Sequence, residues 1–149
     1  QVQVVAPGGN FPGPNVVPGL PVNEWVHIAI VYDNTTKERI YYKDGVPVYK
    51  DEAASGNVSL SSGCYIGRAW DTRWLPGDIS EVRVWSVQRT AEQIATNPYE
   101  VDPASEGLVA YWKFNEGAGN VITDQTGHGN DITGSSDPTW VKVEIPKIN

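Results

Sequence analysis

The run EWVHIAIVYD, Glu24 to Asp33, alternates Val26, Ile28, Ile30 and Tyr32 against Trp25, His27, Ala29 and Val31. Both sets are largely apolar, and a strand with two apolar faces belongs inside a sandwich or against neighbouring sheet. KERIYYKDGVPVYKDE then reads as a hairpin, with β-prone RIYYK and VPVYK flanking Asp44-Gly45, a dipeptide suited to the positive φ of a tight turn. Pro47 has no N–H to give to a ladder, which puts the second arm at a sheet edge. NVSL and CYIGRA form another pair of short strands. DISEVRVWS follows as a strand, with Val82 and Val84 on one face and Glu81, Arg83 and Trp85 on the other.

That strand runs on without glycine or proline into RTAEQI. Thr90 is placed to cap a helix, and Gln93 three residues later can reach back to it, as in a capping box. Asn97-Pro98 stops the helix, so one short helix is predicted over 90–96. After a linker, a strand is predicted from Leu108 to Phe114, and the loop-rich tail ends in a strand within WVKVEI. Trp25, Trp85, Trp112 and Trp140, with Tyr32 and Phe114, fall inside strand patterns and are read as core. About seven or eight short strands and one helical turn predict an all-β antiparallel sandwich.

Composition narrows the chemistry. The 149 residues are one domain's worth of chain. A net charge of −7 with no Lys/Arg cluster argues against nucleic acid as a partner. Cys64 is the single cysteine, which excludes an internal disulfide and a four-thiolate zinc site. No apolar run is long enough to span a bilayer as a helix, so no membrane insertion is expected. The opening QVQVVAPGGNFPG shows no secretory leader and reads as though in mid-domain; the expectation is a C-terminal piece of a larger protein.

The order NEWVHIAIVYD, YYKDGVPVYK, CYIGRA, LPGDISEVRVWSVQRTAEQI resembles the second half of a laminin G-like, concanavalin A-type jelly roll, a family related to the pentraxins. The last third, GLVAYWKFNEGAGNVITDQTGHGNDITG, is similar to the stretch that usually opens such domains, here placed at the end. That arrangement resembles proteins of Bacteroidetes polysaccharide-utilisation systems. The resemblance covers residues 23–145, and the strands of a first half are not found in the chain. It implies that 1–97 form the second half of the sandwich and that 98–149 add extension strands to it. It also implies a secreted protein, outside the cell, on its outer surface or in the periplasm.

Glucanases share this jelly roll, and a hydrolase of that kind needs two carboxylates about 5 to 9 Å apart facing one cleft. Asp78 and Glu81 are three apart and point to opposite faces of a strand. Asp51, Glu52 and Asp71 lie in loops, Glu144 is alone on its strand, and neither His27 nor His128 accompanies a nucleophile elbow. No catalytic residues are assigned, and fold alone confers no activity.

Sugar binding is a better match. Aromatic rings stack on pyranose C–H faces while amides and acids take the hydroxyls. RAWDTRWLPG supplies Trp70 and Trp74 with Arg68, Asp71 and Arg73 in one loop; the competing reading is that one Trp covers the sandwich edge and the arginines are solvated. Calcium takes six to eight oxygens from Asp, Asn and carbonyls. Asn115, Glu116, Asp124, Asn130, Asp131 and Asp137 offer such groups in a Gly-rich tail, and the resemblance favours Asp124 and Asn130, with Asp131 beside them. Turn formation explains the same residues equally well. Glu81 and Arg83 share a face and are read as a structural pair. The expected function is a non-catalytic carbohydrate-binding or accessory module of a secreted or surface glycan-processing protein, its partner a glycan or a neighbouring domain or chain of the same protein. The alternative is a spacer packed against a glycoside hydrolase domain.

Overall fold

The computed structural model describes residues 21–52, 65–67, 74–96, 98–134 and 137–144. The chain divides into two compact units, one of Gln1–Cys64 with Gln88–Pro98 and the other of Tyr65–Val87 with Tyr99–Asn149. Every strand pairing among the described residues is antiparallel, and there is one short helix, so the fold class is all-β as the patterning predicts.

In the first unit β1 (Ile28–Tyr32), β2 (Glu38–Lys43) and β3 (Val46–Glu52) form a sheet in that order. The register aligns Ile30, Tyr41 and Tyr49 across the three strands, on one face by the period of two. Tyr41 is buried there against Ile28, Ile30, Val48 and Tyr49, and its ring meets that of Tyr49 edge to face at 5.9 Å. Next along this face, Arg39 grips Asp51 in bidentate fashion, Nε to Oδ1 at 2.8 Å and Nη2 to Oδ2 at 2.5 Å. Arg39 is buried, and although burial disfavours its charge, the bonds to Asp51 outweigh this and hold the guanidinium pKa above its ordinary value. Asp44 (φ 50°) and Gly45 (φ 79°) make the predicted positive-φ turn, and β3, which carries Pro47, ends the sheet.

The helix α1 (Ala91–Thr96) begins as predicted. Gln93 N–H donates to Thr90 Oγ1 at 3.2 Å, and Thr90 N–H donates to Gln93 Oε1 at 3.0 Å. Its one buried side chain is Ile94. At the hairpin turn the helix passes so near that a Cβ on Gly45 would fall 2.6 Å from the Ala95 Cα.

The second unit contains β4 (Val82–Trp85), β5 (Leu108–Trp112), β6 (Val121–Ile122) and β7 (Ile132–Thr133). β4 pairs with β5 and β6 with β7, and its buried apolar residues are Leu108, Ala110, Tyr111 and Ile122. Several expectations need correction. The strand expected from Ile79 starts at Val82, because Glu81 takes a left-handed φ of 58°. The strand expected to reach Phe114 stops at Trp112, and Phe114 also has φ 58°. WVKVEI carries no strand over 140–144; Trp140 is held by its Nε1–H on Gly119 O at 3.0 Å. Conversely, β6 and β7 lie in the region read as loop. Trp25, Trp85, Trp112, Trp140, Tyr32 and Phe114 are half-buried rather than core. NVSL lies outside the described residues; of CYIGRA, residues 65–67 are described and are not in a strand.

Candidate functional site

Asp124 is 4% exposed, and five protein donors make six hydrogen-bond contacts with it, the Thr126 hydroxyl being shared between its two oxygens. Oδ1 accepts from Tyr111 N–H at 3.0 Å, Thr126 N–H at 3.0 Å and Thr126 Oγ1 at 2.8 Å. Oδ2 accepts from Thr126 Oγ1 at 2.8 Å, Asn130 Nδ2 at 3.1 Å and Asn130 N–H at 3.2 Å. Burial works to raise its pKa, but the bonds from Tyr111, Thr126 and Asn130 outweigh it and bring the value down to about 2. The rest of the expected metal loop is engaged as well. Asp131 Oδ1 accepts from Asp124 N–H at 2.8 Å, and Asn130 Nδ2 also donates to Val109 O at 3.0 Å.

This donor set does not fit calcium. A cation needs lone pairs aimed at one point, whereas N–H and O–H hydrogens point at the Asp124 oxygens. Among the described residues no group of three or more His, Cys, Asp or Glu side chains could hold a metal ion. The turn-forming reading of these residues is the one their hydrogen bonds support.

The acids considered for hydrolysis are placed as follows. Asp78 is exposed; Asp51 and Glu52, expected in a loop, end β3, and Asp51 is bound to Arg39. Glu81 Oε2 accepts from Arg83 Nη2 at 2.8 Å and from the Tyr111 hydroxyl. Tyr111 has no exposed surface, and the Arg83 Cζ and Lys113 Nζ lie 5.1 and 5.6 Å from its ring centroid. Burial first, then the bond to Glu81, pushes the phenol pKa up and keeps it protonated. Glu81 and Arg83 are therefore the structural pair expected, joined by a tyrosine that adjacent-residue reasoning did not reach.

The aromatic loop is different in kind. Trp74 is 66% exposed and Leu75 48%, and Leu75 N–H donates to Gly67 O at 2.8 Å. That bond draws the segment carrying Trp74 beside the one carrying Tyr65, which is 61% exposed. Arg68, Trp70, Asp71 and Arg73 lie outside the described residues. Sequence reasoning missed Tyr65, whose signal was its place at the mouth of the same loop. Large aromatics are ordinarily covered, and here two on hydrogen-bonded segments of one unit are exposed.

Comparison with known proteins agrees with the β architecture. The model of a laminin G-type family, described as the concanavalin A-like lectin/glucanases superfamily, matches residues 2–95. A crystal structure of a candidate carbohydrate-binding protein from Bacteroides ovatus is similar to this chain, with TM-score 0.71 and 34% identity. The likeness covers 88% of this chain and 40% of that one, so the chain spans less than half the length of this solved relative. No curated protein matches the sequence.

Proposed function

The chain belongs to the laminin G-type family of the concanavalin A-like lectin/glucanases superfamily, and from that premise we propose that it is a non-catalytic carbohydrate-binding module. The observation that carries this reading is the exposed Trp74 indole, with Tyr65 on the segment bonded beside its own. The segment that carries the exposed indole is tied to its neighbour by the backbone bond from Leu75 N–H to Gly67 O. A sugar ring's C–H groups meet the π cloud, and loop polar groups take the hydroxyls. Trp70, Arg68, Asp71 and Arg73 belong to the same loop of the sequence and are the natural suppliers of such groups.

Support also comes from the solved relative from Bacteroides ovatus, described as a candidate carbohydrate-binding protein. The module is proposed to serve a secreted or surface-exposed glycan-processing protein of the polysaccharide-utilisation kind. The acids that a hydrolase would require are spent in structural contacts in the cases of Glu81 and Asp51, so the proposed role is binding without turnover. Among the described residues no helix is long and apolar enough to cross a membrane.

A glycan array tests the proposal, with Trp74→Ala and Tyr65→Ala as variants. Binding by the parent that falls at least about tenfold in Trp74→Ala, a loss of about 1.4 kcal/mol, is the expected result. A folded parent that binds no glycan would favour the spacer role against a glycoside hydrolase domain.

A further inference from the structure

β5 has two edges. One pairs with β4, through Val82↔Trp112, Arg83↔Tyr111 and Val84↔Ala110. On the other edge the backbone groups of Val109 and Tyr111 are met by the loop from Asp124 to Asp131. Tyr111 N–H donates to Asp124 Oδ1 at 3.0 Å, and Tyr111 O accepts from Gln125 N–H at 2.8 Å. Val109 O accepts from Asn130 Nδ2 at 3.0 Å and lies 3.1 Å from His128 Nδ1. The loop is pinned a further time by Trp112 Nε1–H on Asn130 O at 2.8 Å. Among the described residues the only ladder contact at this edge is the single bridge Trp112↔Asp124.

A strand in this position would satisfy the same groups but would present a fresh row of N–H and C=O to whatever came next. Side chains do not. Asp124, Asn130 and His128 meet Tyr111 N–H and Val109 O while offering no continuing ladder, which is how a sheet is ended without a Pro or a lysine. Val109 and Tyr111 themselves carry no charge that would repel a second strand, and Val109 is 37% exposed.

We propose that the Asp124–Asp131 loop is an edge stop, and that without it β5 pairs antiparallel with β5 of a second copy of this chain. Two identical edges related by a two-fold axis present matching donors and acceptors to one another, so a second copy is the partner already suited to the exposed groups.

Light scattering across a range of protein concentrations tests this on the parent chain, Asp124→Ala, Asn130→Ala and Asp124→Ala/Val109→Lys. The expected result is that Asp124→Ala, at concentrations where the parent mass is constant, rises to about twice that mass. The added Val109→Lys, which places a charge at the opened edge, returns it to the parent value. If Asp124→Ala proves unfolded by near-ultraviolet circular dichroism, Asn130→Ala decides the matter. Asn130 is exposed, and its truncation removes the amide from Val109 O and from Asp124 Oδ2. Folded variants that keep the parent mass at every concentration overturn the proposal. So does association that persists with Val109→Lys, since it would arise at another surface.

Discussion

Tyr111 and Asp124 bond as neighbouring strands do, but with a side chain in place of a backbone carbonyl: Tyr111 N–H meets Asp124 Oδ1 at 3.0 Å, while Tyr111 O takes the N–H of Gln125 at 2.8 Å. The carboxylate thus does the work of a strand acceptor at the edge of β5. Because it is charged, each of its bonds is stronger than a neutral equivalent. Because it is buried, leaving its donors without an acceptor is costly. One aspartate therefore organises both the loop and the strand.

Acid stability follows with a definite sign. Asp124 has a folded pKa of about 2, below the ordinary value of 3.8, so its contribution is fully present above pH about 4 and is lost as pH falls through about 2. The shift corresponds to on the order of 2 kcal/mol. In Asp124→Asn the midpoint of urea unfolding at pH 7 is expected to fall. Its dependence on pH between about 4 and 2 is expected to be shallower than the parent's by this one group. Parallel acid limbs would contradict the role given to Asp124.

Glu81 should invert a familiar rule. Its φ of 58° costs a residue with a Cβ about 1 kcal/mol that glycine does not lose. Glu81→Ala and Glu81→Gly both forfeit the bonds to Arg83 and Tyr111. The glycine variant is nonetheless expected to be the more stable of the two by about 1 kcal/mol. Chemical denaturation of the pair measures the difference directly, and equal stabilities would contradict the strain.

These cases mark what the sequence makes visible. The Asp44-Gly45 turn and the Thr90–Gln93 box are contained within four residues, so their chemistry is written in adjacent positions. A glutamate and a phenylalanine at left-handed φ contradict their own preferences, and Glu81 and Phe114 accordingly cut two predicted strands short. Two-residue strands such as β6 and β7 fall below any detectable period. Asp124 and Asn130 were legible as an oxygen-rich pair, but the groups that decide their role lie 13 and 21 residues away, on Tyr111 and Val109. Trp74 was picked out by the composition of RAWDTRWLPG, and the structure leaves it exposed, while Arg68, Trp70, Asp71 and Arg73 of that stretch lie outside the described residues.

Two glycines separate backbone from side-chain crowding. Gly45 (φ 79°) would place a Cβ 2.6 Å from the Cα of Ala95, a backbone atom that cannot turn aside. Gly107 (φ 79°) would meet Val87 Cγ2 at 2.5 Å, Cγ1 at 2.9 Å and Cβ at 3.2 Å, all side-chain atoms of a residue that is 45% exposed and has room to shift. Both alanine variants lose about 1–2 kcal/mol to the left-handed backbone. Gly45→Ala is expected to lose about 1–3 kcal/mol more from overpacking. Melting temperatures ranking Gly107→Ala below Gly45→Ala would refute that account.

Calcium gives the last contrast. A metal bound only by the folded chain at ten times its Kd adds about 1.4 kcal/mol of stability, a rise of roughly 3–6 °C for a domain of this size. The oxygens of Asp124 face six hydrogen-bond contacts from N–H and O–H groups, and Asp131 Oδ1 faces a seventh. Coordination there would break the bonds that hold Tyr111 and the loop together. Scanning calorimetry in calcium and in chelator is therefore expected to give the same Tm. A calcium-dependent rise that disappears in Asp124→Asn would place a cation at this carboxylate and overturn the hydrogen-bonded account of the loop.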